Sequence, residues 1–206
     1  MKFYDSIGPN PRIVKMFMAE KGIDLPKVEV DLRGGENRQA AYLAKNPAGQ
    51  TPSLELDDGQ VISEITVICE YLEEKHPTPV LIGATPEQRA ETRKWVRRLD
   101  LNICEPLANG FRFGVGLAMF QDRVHCIPEA ADGLKATAQE WLTRLDGLME
   151  GRDFITPNNQ FSLADILLFG FVDFGIVVGQ PLNTNNKTVA AWYERMKARP
   201  SAVASA

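Results

Sequence analysis

Over residues 1–77, extended and helical signals alternate in the order β-α-β-α-β-β-α, an order that few compact topologies accommodate. Lys2 to Tyr4 reads as a strand, Arg12 to Lys21 as a helix stopped by Gly22, and Pro26 to Val30 as a second strand. Asn37 to Lys45 reads as a short helix. Ser53 to Leu56, the turn Asp57-Asp58-Gly59 and Gln60 to Ile62 form a β-hairpin, after which Ser63 is expected to cap a helix reaching Lys75. A parallel strand pair requires a helical crossover, whereas a hairpin makes its two strands antiparallel.

These constraints fit a thioredoxin-like layer. The tract HPTPVLIGATPEQ, His76 to Gln88, is rich in proline and short polar residues, and beyond it the strand-type alternation stops. The helical pattern then covers Glu87 to Phe113, Pro128 to Gly151, Ser162 to Val178 and Thr188 to Ala198. The expected fold class is α/β plus all-α: a thioredoxin-like domain over 1–77, a linker over 78–86 and a helical bundle over 87–206. Ser162 and Asp165 have the spacing of a capping box, and the ILLFGFVDFGIVV that follows is apolar nearly all round, as in a buried helix.

A formal net charge of −4 and a pI near 5.3, with no dense basic run, argue against nucleic acid as a partner. The first residues lack a secretory pattern and no segment approaches the ~20 apolar residues of a membrane span, so the expected location is cytoplasmic, away from any membrane. Cys69, Cys104 and Cys126 contain no CxxC pair, and only His76 and His125 are available as histidines. Neither a disulfide framework, nor a metal site, nor a histidine-based triad is indicated.

Three short segments carry the candidate chemistry. In SIGPNPRIV, Ser6 to Val14, two prolines surround Asn10 where a helix begins, and a helix start attracts an anion through its free N–H groups and dipole. Asn10 there is either a helix cap or a hydrogen-bond donor to a ligand. In NPAGQTPSLEL, Thr51-Pro52 precedes a strand, where the bond is a candidate for cis and Thr51 can offer its main-chain N–H and C=O to an extended peptide; an ordinary turn is the alternative. In ISEIT, Glu64 either complements the dipole of the following helix or pairs with the ammonium of a zwitterion whose carboxylate takes the free N–H groups.

In this order and spacing the segments YDSIGPNPRIVKMFMAEKGI, NPAGQTPSLEL and ISEITVICEYLEEKHP, with FSLADI and MKARPS later, resemble the cytosolic glutathione S-transferases. The resemblance extends over essentially the whole chain. It implies glutathione as co-substrate, no metal, a small electrophilic or disulfide second substrate, and a homodimer. By position, Thr51 stands before the family's cis-proline, Pro52, and is expected to pair through its main chain with the cysteinyl unit. Gln50 falls near the glycyl end. Glu64 and Ile65 occupy the Glu-Ser pair that binds the γ-glutamyl group, with isoleucine replacing serine, and Thr66 is a candidate substitute hydroxyl.

The resemblance places the thiol-activating serine of the serine-type classes at Gly8, which has no side chain; Ser6 lies two residues early. Asn10 matches the asparagine of the TPN pattern in bacterial Nu-class-like members, here GPN, which makes it the expected catalytic residue. An amide can donate to a thiolate but cannot deprotonate a thiol, so electrostatic stabilisation is the expected mode. Arg12 is either an added positive charge or an ordinary surface arginine. Asn102, Ile103, Pro106, Leu107, Phe111 and Phe113 fall on the helix that walls the family's electrophile pocket, Asn102 and Phe111 being the expected binding residues, although such a stripe also describes plain core. Asp100 is either a cross-dimer contact or a partner of Arg97 or Arg98. Glutathione-dependent disulfide or peroxide reduction and a non-catalytic scaffold are the alternative activities.

Overall fold

Four short strands, β1 (Lys2–Asp5), β2 (Lys27–Glu29), β3 (Ser53–Glu55) and β4 (Val61–Ser63), align in the order β2-β1-β3-β4 in the computed structural model, which describes residues 1–206. β1 is parallel to β2 and antiparallel to β3, and β3 is antiparallel to β4. Helix α1 (Pro9–Lys21) supplies the crossover between the parallel pair. With α2 (Ala40–Leu43) and α3 (Ile65–Lys75), the segment is the thioredoxin-like layer expected. Phe3 and Leu54 of the sheet are fully buried, as are Phe17, Ile68 and Leu72 of α1 and α3.

Two local expectations are corrected. The region read as one helix from Asn37 to Lys45 is a 3-10 turn (Glu36–Arg38) followed by α2, with Gln39 in extended conformation between them. Ser63 does not cap α3: it is the last residue of β4, paired with Ser53, and Glu64 occupies the cap position. The pairing of the hairpin extends one residue further than the apolar pattern indicated, because its last partner is a serine.

The chain divides into two compact units, Met1–Leu81 with Pro200–Ala206, and Ile82–Arg199. The first therefore includes the last helix, α10 (Pro200–Ala204): Ser201 Oγ donates to Glu20 Oε1, and Arg12 Nη2 donates to the Ala202 carbonyl at 3.4 Å. In the same unit the Lys21 ammonium is buried; it donates at 2.6 Å to the carbonyls of His76 and Pro79 and pairs with Glu73 at 2.6 Å.

The second unit holds α4 (Pro86–Leu99), α5 (Glu105–Phe113), α6 (Leu117–Phe120), α7 (Ala131–Leu148), α8 (Leu163–Val177) and α9 (Lys187–Lys197). The sequence pattern gave α4 and α5 as one helix, but a π turn over Asp100–Cys104 separates them. Pro106 explains it. Proline has no N–H for the usual bond and its ring collides with the carbonyl four residues earlier, so the chain widens by one residue ahead of it. Accordingly Glu105 N–H reaches back to the Asp100 carbonyl.

Helix α8 is buried on nearly every side, as its composition implied. At its start Asp165 is fully buried and accepts four hydrogen bonds: from Ser162 N–H at 3.0 Å, Ser162 Oγ at 3.1 Å, Ile155 N–H at 3.0 Å and Trp192 Nε1 at 3.0 Å. The shorter aspartate thus completes the reciprocal half of the capping box. Burial pushes its carboxyl up to about 6, against the pull of those donors. No helix is long and apolar enough to cross a membrane.

Two measurements test this description. Asp165→Asn turns one acceptor oxygen into a donor facing donors, and is expected to cost about 2–4 kcal/mol in urea unfolding. In the first unit Glu55 accepts from Lys45 at 2.6 Å and from Tyr4 O–H at 2.6 Å, which holds its carboxyl down at about 2. A depressed folded value means that this stabilisation is present above the ordinary glutamate range and is lost as pH falls through about 2. Carboxyl-carbon NMR of Lys45→Met should return the Glu55 midpoint toward 4.5.

Candidate functional site

The register of the sheet decides which loops meet. Ser53 is paired with Tyr4 on one side and with Ser63 on the other. One edge of the sheet therefore carries the residues just after β1, those just before β3 and those just after β4. These are Ser6 to Asn10, Gln50 to Pro52, and Glu64 to Thr66, each lying within one of the three segments singled out in the sequence. Asn102 and Phe111 lie in the second unit. The Asn102 amide donates to the Arg98 carbonyl at 2.7 Å, and Phe111 packs edge-on against Phe120 and Phe174. Asp100 lies 3.7 Å from Arg97, an ion pair within its own helical stretch.

At the start of α1, Gly8 is the cap residue, with φ 116° and ψ 176°, a combination essentially reserved for glycine. Asn10 is the second helical residue and not the cap, and no side chain caps the helix. An α-helix leaves its first four N–H groups without internal partners, here those of Gly8, Pro9, Asn10 and Pro11. Two of the four are prolines. Only the N–H groups of Gly8 and Asn10 remain for a ligand, fewer than the helix start alone implies. No acidic side chain occupies the first turn. The Asn10 Oδ1 atom is buried and has no hydrogen-bond partner. A buried amide oxygen without a donor costs about 1–3 kcal/mol.

The Thr51-Pro52 bond is cis. Thr51 lies ahead of the ladder, and its N–H and C=O form no backbone hydrogen bond. The Thr51 side chain is engaged within the chain: its Oγ1 lies 2.5 Å from Ser6 Oγ, and both residues are buried. Gln50 is exposed while its carbonyl is held by Tyr42 O–H at 2.8 Å and Asn46 Nδ2 at 2.7 Å. Asn37 Nδ2 donates to the Gly49 carbonyl at 2.6 Å. Asn37, Tyr42 and Asn46 thus fix the loop that presents Gln50 and Thr51, and the sequence reading passed over all three. Asn46 carried a signal: its Oδ1 accepts from Ala48 N–H at 3.2 Å, the side-chain turn that an Asn-Pro start favours.

Glu64 is exposed, has φ 70° and ψ 121°, and its carboxylate has no hydrogen bond or ion pair within the chain. Behind it the N–H groups of Ile65, Thr66 and Val67 open α3, and the Glu64 carbonyl already accepts from Ile68 at 2.9 Å. An acceptor and a set of donors stand side by side, which suits a group carrying both an ammonium and a carboxylate. Arg12 is half-buried, with its guanidinium engaged at the Ala202 carbonyl. Burial raises the thiols of Cys69 and Cys104, so neither supplies a nucleophile.

Comparison with known proteins places these residues in context. The N-terminal domain model of glutathione S-transferases matches residues 7–75. Glutathione S-transferase 2 of Saccharomyces cerevisiae is 30% identical, covering 98% of this chain and 87% of its own; the crystal structure of Gtt2 from the same organism superposes with a TM-score of 0.92 at 28% identity, over 100% of both chains. A glutathione S-transferase domain-containing protein of Marinobacter aquaeolei superposes with a TM-score of 0.90 at 31% identity, over 98% of this chain and 99% of its own. A maleylacetoacetate isomerase of Pseudomonas aeruginosa is 44% identical over 47% of this chain and 46% of its own.

The positive φ of Glu64 is testable without any ligand. Glu64→Gly and Glu64→Ala both delete the carboxylate, but only glycine relieves the backbone. The glycine variant is expected to be about 1 kcal/mol more stable than the alanine variant in urea unfolding, and equal stabilities would contradict the strained conformation.

Proposed function

Because the chain belongs to the glutathione S-transferase family, we propose that it binds glutathione along this sheet edge and stabilises the thiolate for attack on an electrophilic carbon. One observation carries this reading: the register that pairs Ser53 with both Tyr4 and Ser63 brings the α1 start, the main chain of Thr51 and the unpartnered Glu64 carboxylate to a single edge. In this reading Glu64 takes the γ-glutamyl ammonium and the N–H groups of Ile65 and Thr66 take the carboxylate beside it. The main chain of Thr51, ahead of Pro52, pairs with the cysteinyl unit, and Gln50 lies toward the glycyl end. The sulfur then faces Gly8 and Asn10.

With two of four N–H groups removed by Pro9 and Pro11, the helix start supplies less stabilisation than usual, and the weight shifts to Asn10. Its amide is a donor on one atom and an acceptor on the other. Once the thiol has lost its proton, the Asn10 Nδ2 group can donate to the thiolate. An ordinary thiol ionises near 8.5, and donors of this kind lower that value toward neutrality. No carboxylate or imidazole of the edge takes the proton in this scheme; it leaves to water. Asn102 and Phe111 contribute to holding the second substrate, and the working form is a cytoplasmic homodimer of the bacterial Nu-class-like type.

Calorimetry with reduced glutathione tests the assignment directly. Wild type is expected to bind, and Glu64→Ala to lose at least tenfold in affinity, the scale of a charge-assisted pair. Asn10→Ala is expected to raise the pKa of the bound thiol in an ultraviolet thiolate titration. Turnover of an aryl halide in preference to a hydroxyethyl disulfide supports transfer, the reverse preference supports disulfide reduction, and absence of glutathione binding leaves a scaffold.

A further inference from the structure

The turn that ends β1 holds a chain of buried hydroxyls that the scheme above does not use. Ser6 is 4% exposed and Thr51 is 8% exposed, and their hydroxyl oxygens lie 2.5 Å apart. Ser6 Oγ also donates to the Ile7 carbonyl at 3.3 Å. A serine hydroxyl has a single proton. Either hydroxyl can donate across the short contact; in the arrangement where Ser6 donates to the Ile7 carbonyl, donation runs from Thr51 O–H to Ser6 Oγ. On its main-chain side Ser6 is held as well: its N–H donates to Asp5 Oδ1 at 2.8 Å, and Lys15 Nζ of α1 lies 3.4 Å from Asp5 Oδ2. Ser6 is the point at which α1, the turn leading into Gly8 and the loop carrying Thr51 are tied together.

Resting on the glutathione reading, we infer that Ser6 and the Thr51 hydroxyl are a positioning pair: they set the spacing between the main chain that receives the cysteinyl unit and the helix start that receives its sulfur. Neither hydroxyl contacts the reacting atom. Ser6 fixes the carbonyl of Ile7, and through it the entry of the chain into Gly8 and Asn10, while its partner fixes the residue whose N–H and C=O face the peptide. A ligand bridging both places feels any change in their separation at two points, in affinity and in the ionisation of the thiol.

The test uses the full chain with reduced glutathione, following calorimetric affinity and the thiolate absorbance of the bound ligand. Thr51→Val, which replaces the hydroxyl by a methyl of similar size, is expected to weaken binding about tenfold and to raise the bound thiol pKa. Thr51→Ser, which keeps the hydroxyl, is expected to restore both. Ser6→Ala should match Thr51→Val, and the double variant should lose no more than the worse single, because one chain of donation is broken once. Should Thr51→Val fail to fold, Thr51→Ala and Ser6→Ala carry the same comparison. Wild-type affinity and wild-type thiol titration in these variants overturn the inference, as do strictly additive losses. If wild type itself binds no glutathione, the functional reading falls and this inference with it; if wild type binds and the variants match it, only the inference falls.

Discussion

The pairing of Ser53 with both Tyr4 and Ser63 is the constraint on which the first unit depends. β3 is the central antiparallel strand, and its register fixes which end of β1 and which end of β4 it meets. A slip of one residue would turn the buried Leu54 to the opposite face and move Glu64 away from Thr51. Core formation and site assembly are thus one decision. The apolar residue that fills the interior also selects the register that brings three distant loops to a common edge.

That edge is held by neutral hydrogen bonds more than by ion pairs. Tyr42, Asn46 and Asn37 fasten the carbonyls of Gln50 and Gly49, and Ser6 fastens Thr51, so the loop's outward-facing groups remain available. The charged groups stand further back: Lys15 against Asp5, and Lys45 and Lys2 against Glu55. Glu64 is the exception, a carboxylate with no partner in the chain, held at a positive φ. The exposed carboxylate is solvated by water, and the cost to the fold lies in the strained backbone that holds it.

The sequence made much of this visible, and the misses have physical causes. The order of elements along the chain, the crossover helix and the hairpin followed from apolar periodicity and turn residues, and the buried α8 from its unbroken apolar run. The π turn before Pro106 was hidden because proline near the middle of a long pattern marks a disturbance without specifying its form. Ser63 read as a cap because serine before a helix is the commonest cap chemistry, and only strand pairing shows it belongs to β4. The braces at Asn37 and Tyr42 act on loop carbonyls twelve and eight residues away, a relation that no local pattern encodes. The hydroxyl chain of Ser6 and Thr51 spans 45 positions and is equally silent in the sequence.

Gly8 shows how the backbone limits the chemistry open to this scaffold. A side chain built there would meet no atom within 4 Å, so by volume alone any residue fits. The torsion forbids it: φ 116° suits glycine and penalises every L-residue that carries a β-carbon. Placing a hydroxyl-bearing residue at position 8 therefore requires rebuilding the turn, and a lineage that carries glycine here must draw on a side chain from another position, unless the main chain changes its path.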